Sequence, residues 1–177
     1  GDLANISSLG LAEKQLLRVD ATKPELWGKM QNLPRLPEAV ILHLEEDAWH
    51  QIRHFFSFLA KSQISLPVIF EKEYDQPFDQ VVLKAAAELG GAFIDGQGHG
   101  LWIRGDYPVN DLRRLSFGLL QASRLRLTKT DFISCPSCGR TLFDLQEVTQ
   151  KIKERTDHLI GVKIAIMGCI VNGPGEM

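Results

Sequence analysis

Residues 39–70 read AVILHLEEDAWHQIRHFFSFLAKSQISLPVIF, and this stretch decides the fold. Residues 39–44 form a short apolar run suited to a strand. Residues 48–61 then place Ile52, Phe55, Phe56 and Leu59 at i, i+3, i+4, i+7 spacing, the stripe of an amphipathic helix. Residues 66–70 are β-branched and aromatic again, a second strand. The alternation continues on both sides. Upstream, residues 15–21 read as a strand, and the proline-rich residues 32–37 as the loop leading to the next one. Downstream, residues 78–89 read as a helix with Val81, Val82, Ala85 and Leu89 on one side, stopped by Gly90 and Gly91 at a left-handed cap. Brief strands are expected at 92–95 and 101–104, either side of the glycine-rich turn 96–100. A helix over 110–124 turns Leu112, Leu115, Phe117 and Leu119 inward. Repeated strand–helix alternation predicts an α/β fold built of βαβ units with parallel strands.

The 177 residues are 44% hydrophobic and 24% charged, with a formal net charge of −2. That balance excludes nucleic acid and an anionic membrane surface as expected partners, since both call for a basic footprint. No apolar run approaches the roughly 20 residues that cross a bilayer; the longest candidate, 160–171, is broken by Lys163 and Gly168. Three cysteines are too few and of the wrong parity for a secreted disulfide framework, and all lie beyond position 130, which predicts a reducing compartment. The start at Gly1 and the stop at Met177, after a Gly-Pro-Gly turn, read as the cut ends of a piece of a longer protein.

The cysteines sit in a second legible unit. Residues 130–134 are a strand. Thr141, with Asp144 three residues on, is expected to cap a helix whose stripe is Leu142, Leu145, Val148 and Ile152, ended near His158 and Gly161. Residues 162–167 are apolar enough for a strand covered on both faces. Parallel strands joined by a crossover helix end at the same sheet edge, about 4.8 Å apart. Cys135 and Cys138 follow the first strand and Cys169 the second, so one centre can gather all three sulfurs. Three thiolates suit zinc or an iron–sulfur cluster. The turn Gly173-Pro174-Gly175 can swing Glu176 back toward Cys169, giving the pattern C-x2-C-x30-C-x6-E. A carboxylate is a more exchangeable ligand than a thiolate and would leave a displaceable position on one metal. The alternative is a structural zinc-binding interaction module, with His158 as the candidate fourth ligand.

The segments SCPSCGRTLFDL (134–145) and IMGCIVNGPGE (166–176) closely resemble the iron–sulfur domain of the 4-hydroxy-3-methylbut-2-enyl diphosphate synthase family, together with 117–121 and 128–130. The resemblance implies an oxidoreductase of the methylerythritol phosphate route to isoprenoids. It would reductively open 2-C-methyl-D-erythritol 2,4-cyclodiphosphate with two electrons from ferredoxin or flavodoxin. It implies a [4Fe-4S] cluster held by Cys135, Cys138, Cys169 and Glu176, with Glu176 as the displaceable, catalytic ligand. Residues 1–128 more weakly resemble the later portion of the insertion domain of long-form members, a partial TIM-like domain. Residues 129–177 then begin a truncated α/β cluster domain. Further implied partners are the missing TIM-barrel domain of the same protein and a second copy in a homodimer. The implied location is the cytoplasm in a bacterium or the plastid stroma in a plant, and the isolated piece is expected to be inactive.

Other candidates carry less. Arg113, Arg114, Arg124 and Arg126 read as a solvated face, while Lys129 and Arg140 are expected to flank the cluster loop and attract a diphosphate or an acidic donor. Within 94–100 the family more often shows Asp-Gly-Leu-Gly-Asp-Gly, so Gln97 and His99 depart from it and Asp95 gains no role. His50 and His54 share a helix face without the glutamate of a zinc-protease motif and read as surface residues.

Overall fold

Alternation of buried and open positions defines β1 (Leu16–Asp20), where Leu17 and Val19 are buried. It pairs in parallel with β2 (Ala39–Leu44), β2 with β3 (Val68–Glu73), and β3 with β4 (Gly100–Arg104). The spatial order is therefore the chain order. This structure, a computed structural model, describes residues 16–135 and 139–169. The chain divides into two units, Gly1–Leu125 and Arg126–Met177.

In the first unit the registers place Leu17, Val19, Val40, Leu42, Leu44, Val68 and Phe70 on one sheet face. That face packs on Ile52, Phe55 and Leu59 of α2 (Ala48–Lys61) and on Trp27, which closes the short α1 (Pro24–Trp27). Trp27 and Phe55 meet edge to face at 5.1 Å between ring centroids. The helix over α5 (Val109–Ala122) adds Leu115 and Leu119 against Ile103. The opposite face is charged. Glu71, only 2% exposed, takes Arg18 Nε at 2.6 Å and Arg104 Nη1 at 3.1 Å, with His43 Nδ1 at 3.5 Å. A carboxylate can be buried there because two guanidinium groups share its lone pairs.

Three expectations fail between residues 78 and 96. Gly90 and Gly91 do not stop the helix: both have right-handed helical torsions, φ −60° and −61°. The chain runs from α3 (Phe78–Ala85) through a π-helical turn (Ala86–Gly90) into α4 (Gly91–Ile94), so the strand expected at 92–95 is helical. Ala92 and Phe93 are thereby turned into the core. Gly91 is small for a packing reason, since a Cβ there would lie 2.9 Å from the Trp49 ring. The real terminator is Gly96, at φ +74°. Val82, expected on the buried stripe, is exposed.

In the second unit β5 (Asp131–Ser134) and β6 (Lys163–Ile166) pair in parallel around α6 (Leu145–Thr156). Asp144, not Thr141, caps that helix, accepting from the amides of Gln146 and Glu147 at 2.9 and 3.0 Å. The helix thus starts later than expected, and Leu142, 94% exposed, takes no part in its stripe. Strand β6 is not covered on both faces either: within it only Ile166 is fully buried. The Thr130 hydroxyl lies 2.8–3.1 Å from the carbonyls of Thr156, Asp157 and Leu159, tying the end of α6 to the start of β5.

Two outcomes follow for stability. Gly90→Ala should stabilise the chain by about 0.5–1 kcal/mol, because the torsions are helical and a Cβ meets open space; Gly91→Ala should not, and paired urea melts distinguish them. Burial pushes the Glu71 carboxyl up, but the hydrogen bond and charge of Arg18, then Arg104 and His43, outweigh it and hold it below the ordinary 4.5. Asp20 is lowered likewise from 3.8 to about 2: burial raises it and the bonds from Thr22 and Lys23 prevail. Both groups favour the folded state above their unfolded values, and that stability is lost as pH falls through the folded ones. Urea midpoints should therefore decline below 4.5, and Glu71→Gln should flatten the decline while costing about 1–2 kcal/mol at neutral pH.

Candidate metal centre

Parallel pairing brings β5 and β6 to a common edge, with Ser134 opposite Ile166. One further backbone bond extends the ladder, from the Cys135 amide to the Ile166 carbonyl at 3.2 Å. The chain leaving β6 then folds over the first sulfur: the Gly168 amide donates to Cys135 Sγ at 3.2 Å. Cys169 is the next residue, and both thiols are free and half-buried. The geometry thus brings the first expected ligand, Cys135, against the residue that precedes the third, Cys169. Cys138 and Glu176 lie outside the described residues. Among the described residues no three His, Cys, Asp or Glu side chains gather at one point.

Two residues around these sulfurs were given no part in the metal site by spacing. Gly168 is buried, and a Cβ on it would overlap the Thr141 hydroxyl and lie 2.9 Å from Thr141 Cγ2. Among the described residues the buried Thr141 Oγ1 and Thr149 Oγ1 have no hydrogen-bond partner. A cavity of about 580 Å³ opens beside Cys135, lined among others by Ser134, Phe143, Thr149 and Lys153. The donor set is soft, one backbone amide already serves a sulfur, and a buried hydroxyl lacks an acceptor. All three observations fit a thiolate-held metal group at this edge.

Other candidates lie elsewhere. His158 is exposed and follows the end of α6, at the edge where β5 and β6 begin, so the sheet does not bring it to the thiols. The Lys129 backbone is at that same far edge, its carbonyl accepting from the Gly161 amide at 3.3 Å, which corrects its expected place beside the cluster loop. Arg140 is exposed and close in sequence to Cys135. Arg113, Arg114 and Arg124 are exposed residues of the first unit, and Arg126 opens the second. In the first unit His99 Nδ1 is 3.2 Å from the Val68 amide, Asp95 is 3.9 Å from Arg53, His50 pairs with Asp47 at 2.6 Å, and His54 rests on Trp27. Each of these has a structural occupation. A wider depression of about 930 Å³ at the ends of β3 and β4, lined by Glu73, Asp75, Arg104 and Asp106, contains no thiol.

Two free thiols at the carboxyl edge of a parallel strand pair define an α/β unit with a soft-ligand edge. Comparison with known proteins specifies it further. Residues 131–177 match the GcpE protein C-terminal domain. The chain is 51% identical over 158 residues to the 4-hydroxy-3-methylbut-2-en-1-yl diphosphate synthase (flavodoxin) of Protochlamydia amoebophila, covering 89% of this chain and 24% of that protein. It is 43% identical over 176 residues to the chloroplastic, ferredoxin-type synthase of Arabidopsis thaliana, covering 94% and 24%. With the flavodoxin-type synthase of Porphyromonas gingivalis the figures are 42% over 153 residues, 84% and 26%. The chain spans about a quarter of the length of these curated relatives. The similarity runs through both units.

Gly168→Ala should weaken the strand edge by about 1–3 kcal/mol, because the Thr141 side chain must move to admit a methyl group. Amide hydrogen exchange at Cys135 and Ile164 should show the loss as reduced protection.

Proposed function

We propose that this chain is part of a 4-hydroxy-3-methylbut-2-en-1-yl diphosphate synthase, the iron–sulfur oxidoreductase that opens 2-C-methyl-D-erythritol 2,4-cyclodiphosphate. The observation that carries the reading is the meeting of Cys135 and the Gly168–Cys169 turn at one strand edge, with residues 131–177 matching a GcpE domain. On this reading residues 1–128 are the later portion of an insertion domain and residues 129–177 the start of the cluster domain. The chain-order sheet, with its helices on one face, supports a partial TIM-like barrel for the former. Cys135, Cys138, Cys169 and Glu176 are the residues that would hold a [4Fe-4S] cluster. When bound, that group supplies single electrons and, at the carboxylate-held iron, an exchangeable position for a substrate oxygen.

The chain's own residues prepare this edge. The Gly168 amide orients Cys135 Sγ, and the buried end of β6 at Ile166 keeps the edge apolar. The exposed Arg140 is a cation beside the loop, suited to a diphosphate or to an acidic electron donor. The names of the relatives supply the donor classes, ferredoxin and flavodoxin. A bacterial cytoplasm or a plastid stroma is the location this reading implies, and bacterial and chloroplastic relatives support it; among the described residues no helix is long and apolar enough to cross a membrane. The barrel absent from this chain, supplied by the same polypeptide or a second copy in a homodimer, would bring most of the substrate-binding surface.

Anaerobic reconstitution of the full-length protein should load about four irons per chain and give an iron–sulfur EPR signal on reduction. Cys135→Ser and Cys169→Ser should each abolish stable loading, and Glu176→Ala should weaken it. One zinc and no iron after the same treatment would overturn the reading in favour of a structural zinc module.

A further inference from the structure

Thr141 holds a hydroxyl with no evident purpose in the folded chain. The capping role that its spacing suggested belongs to Asp144, which accepts both first-turn amides itself. Thr141 Oγ1 is buried and makes no hydrogen bond among the described residues, a state that costs about 1–3 kcal/mol relative to an apolar group of the same shape. Valine has that shape. An uncompensated buried hydroxyl therefore calls for an acceptor that the described residues around it do not supply.

Its surroundings say what kind of acceptor. The Thr141 side chain packs on Gly168, so closely that a Cβ there would overlap the hydroxyl. The amide of that same glycine donates to Cys135 Sγ, and Cys169 is joined to it directly. The hydroxyl thus lies against the residue whose amide serves Cys135 Sγ and which precedes Cys169 in the chain. Sulfur in an iron–sulfur group carries negative charge that grows on reduction, and it accepts hydrogen bonds from O–H and N–H donors.

We infer that Thr141 is a positioning residue whose hydroxyl donates a hydrogen bond to a sulfur of the bound cluster, beside the bond from the Gly168 amide, and so raises the reduction potential. This inference rests on the cluster reading given above. The hydroxyl is kept unpaired in the protein alone and becomes paired when the group is present. Threonine fills the same space as valine against Gly168, which separates its packing role from its polar one.

The test uses the full-length protein with Thr141→Val and Thr141→Ser, reconstituted anaerobically and titrated by EPR. Thr141→Val should keep its iron content but lower the midpoint potential, by about threefold in the one-electron equilibrium constant, or about 28 mV at 59 mV per decade. Thr141→Ser should restore the wild-type potential. Without the cluster, Thr141→Val should melt at or above the wild-type temperature, since only an unpaired hydroxyl is lost; a lower melting temperature would mean a structural bond and overturn the inference. Coincident potentials for wild type and Thr141→Val, or a serine variant that stays with valine, would also overturn it while leaving the cluster reading intact. Zinc without iron in the wild-type protein would remove the cluster reading and this inference together.

Discussion

The register Ser134↔Ile166 between β5 and β6 governs the chemistry of this chain. Cys135 and Cys169 are far apart in sequence, and neither loop alone could define their separation. Parallel pairing does so, because both strands must finish at the same edge once a crossover helix joins them. A slip of one residue would turn Ile166 out of its buried position and move the Gly168 amide away from Cys135 Sγ. The burial of one isoleucine and the aim of one sulfur are therefore set by the same backbone ladder. The tie from Thr130 to the last carbonyls of α6 fixes the other end of that ladder.

Much of this was legible in the residues. The stripe Ile52, Phe55, Phe56, Leu59 marked α2, and the run at 39–44 marked β2, because hydrophobic period is a direct image of which side faces the core. The cysteine edge followed from topology alone. The failures have physical causes too. Gly90 and Gly91 suggest a stop, yet glycine permits a left-handed cap without requiring it. Here the Trp49 ring needs the space and the helix continues. Thr141 and Asp144 both offered a cap, and the sequence pattern could not show which oxygen meets the first free amides. Lys129 was expected beside the cluster loop, and His158 was the candidate fourth ligand of the zinc alternative, whereas the sheet assigns both to its opposite edge.

Buried polar groups are met in more than one way across the two units. In the first, Glu71 on the helix-free face is fully matched by Arg18 and Arg104, and on the helix side the buried Lys72 donates to the Glu45 carbonyl and approaches Glu88 at 3.7 Å. Other buried polar atoms have no partner among the described residues: His43 Nδ1, Gln76 Oε1 and Gln97 Oε1 in the first unit, and the Thr141 and Thr149 hydroxyls near Cys135 in the second. Satisfied networks make a rigid scaffold, and each unsatisfied buried group calls for its own explanation, which for Thr141 the proposed cluster supplies.

The chain-order arrangement of β1 to β4 bears on how the protein is made. Each strand's neighbour is the one translated just before it, so every addition to the sheet closes a single crossover rather than a distant loop. The β5–β6 pair obeys the same rule with α6 as its crossover. Each unit can thus form strand by strand as it emerges from the ribosome, and the sulfur-bearing edge, lying downstream in the sequence, is made after the first sheet.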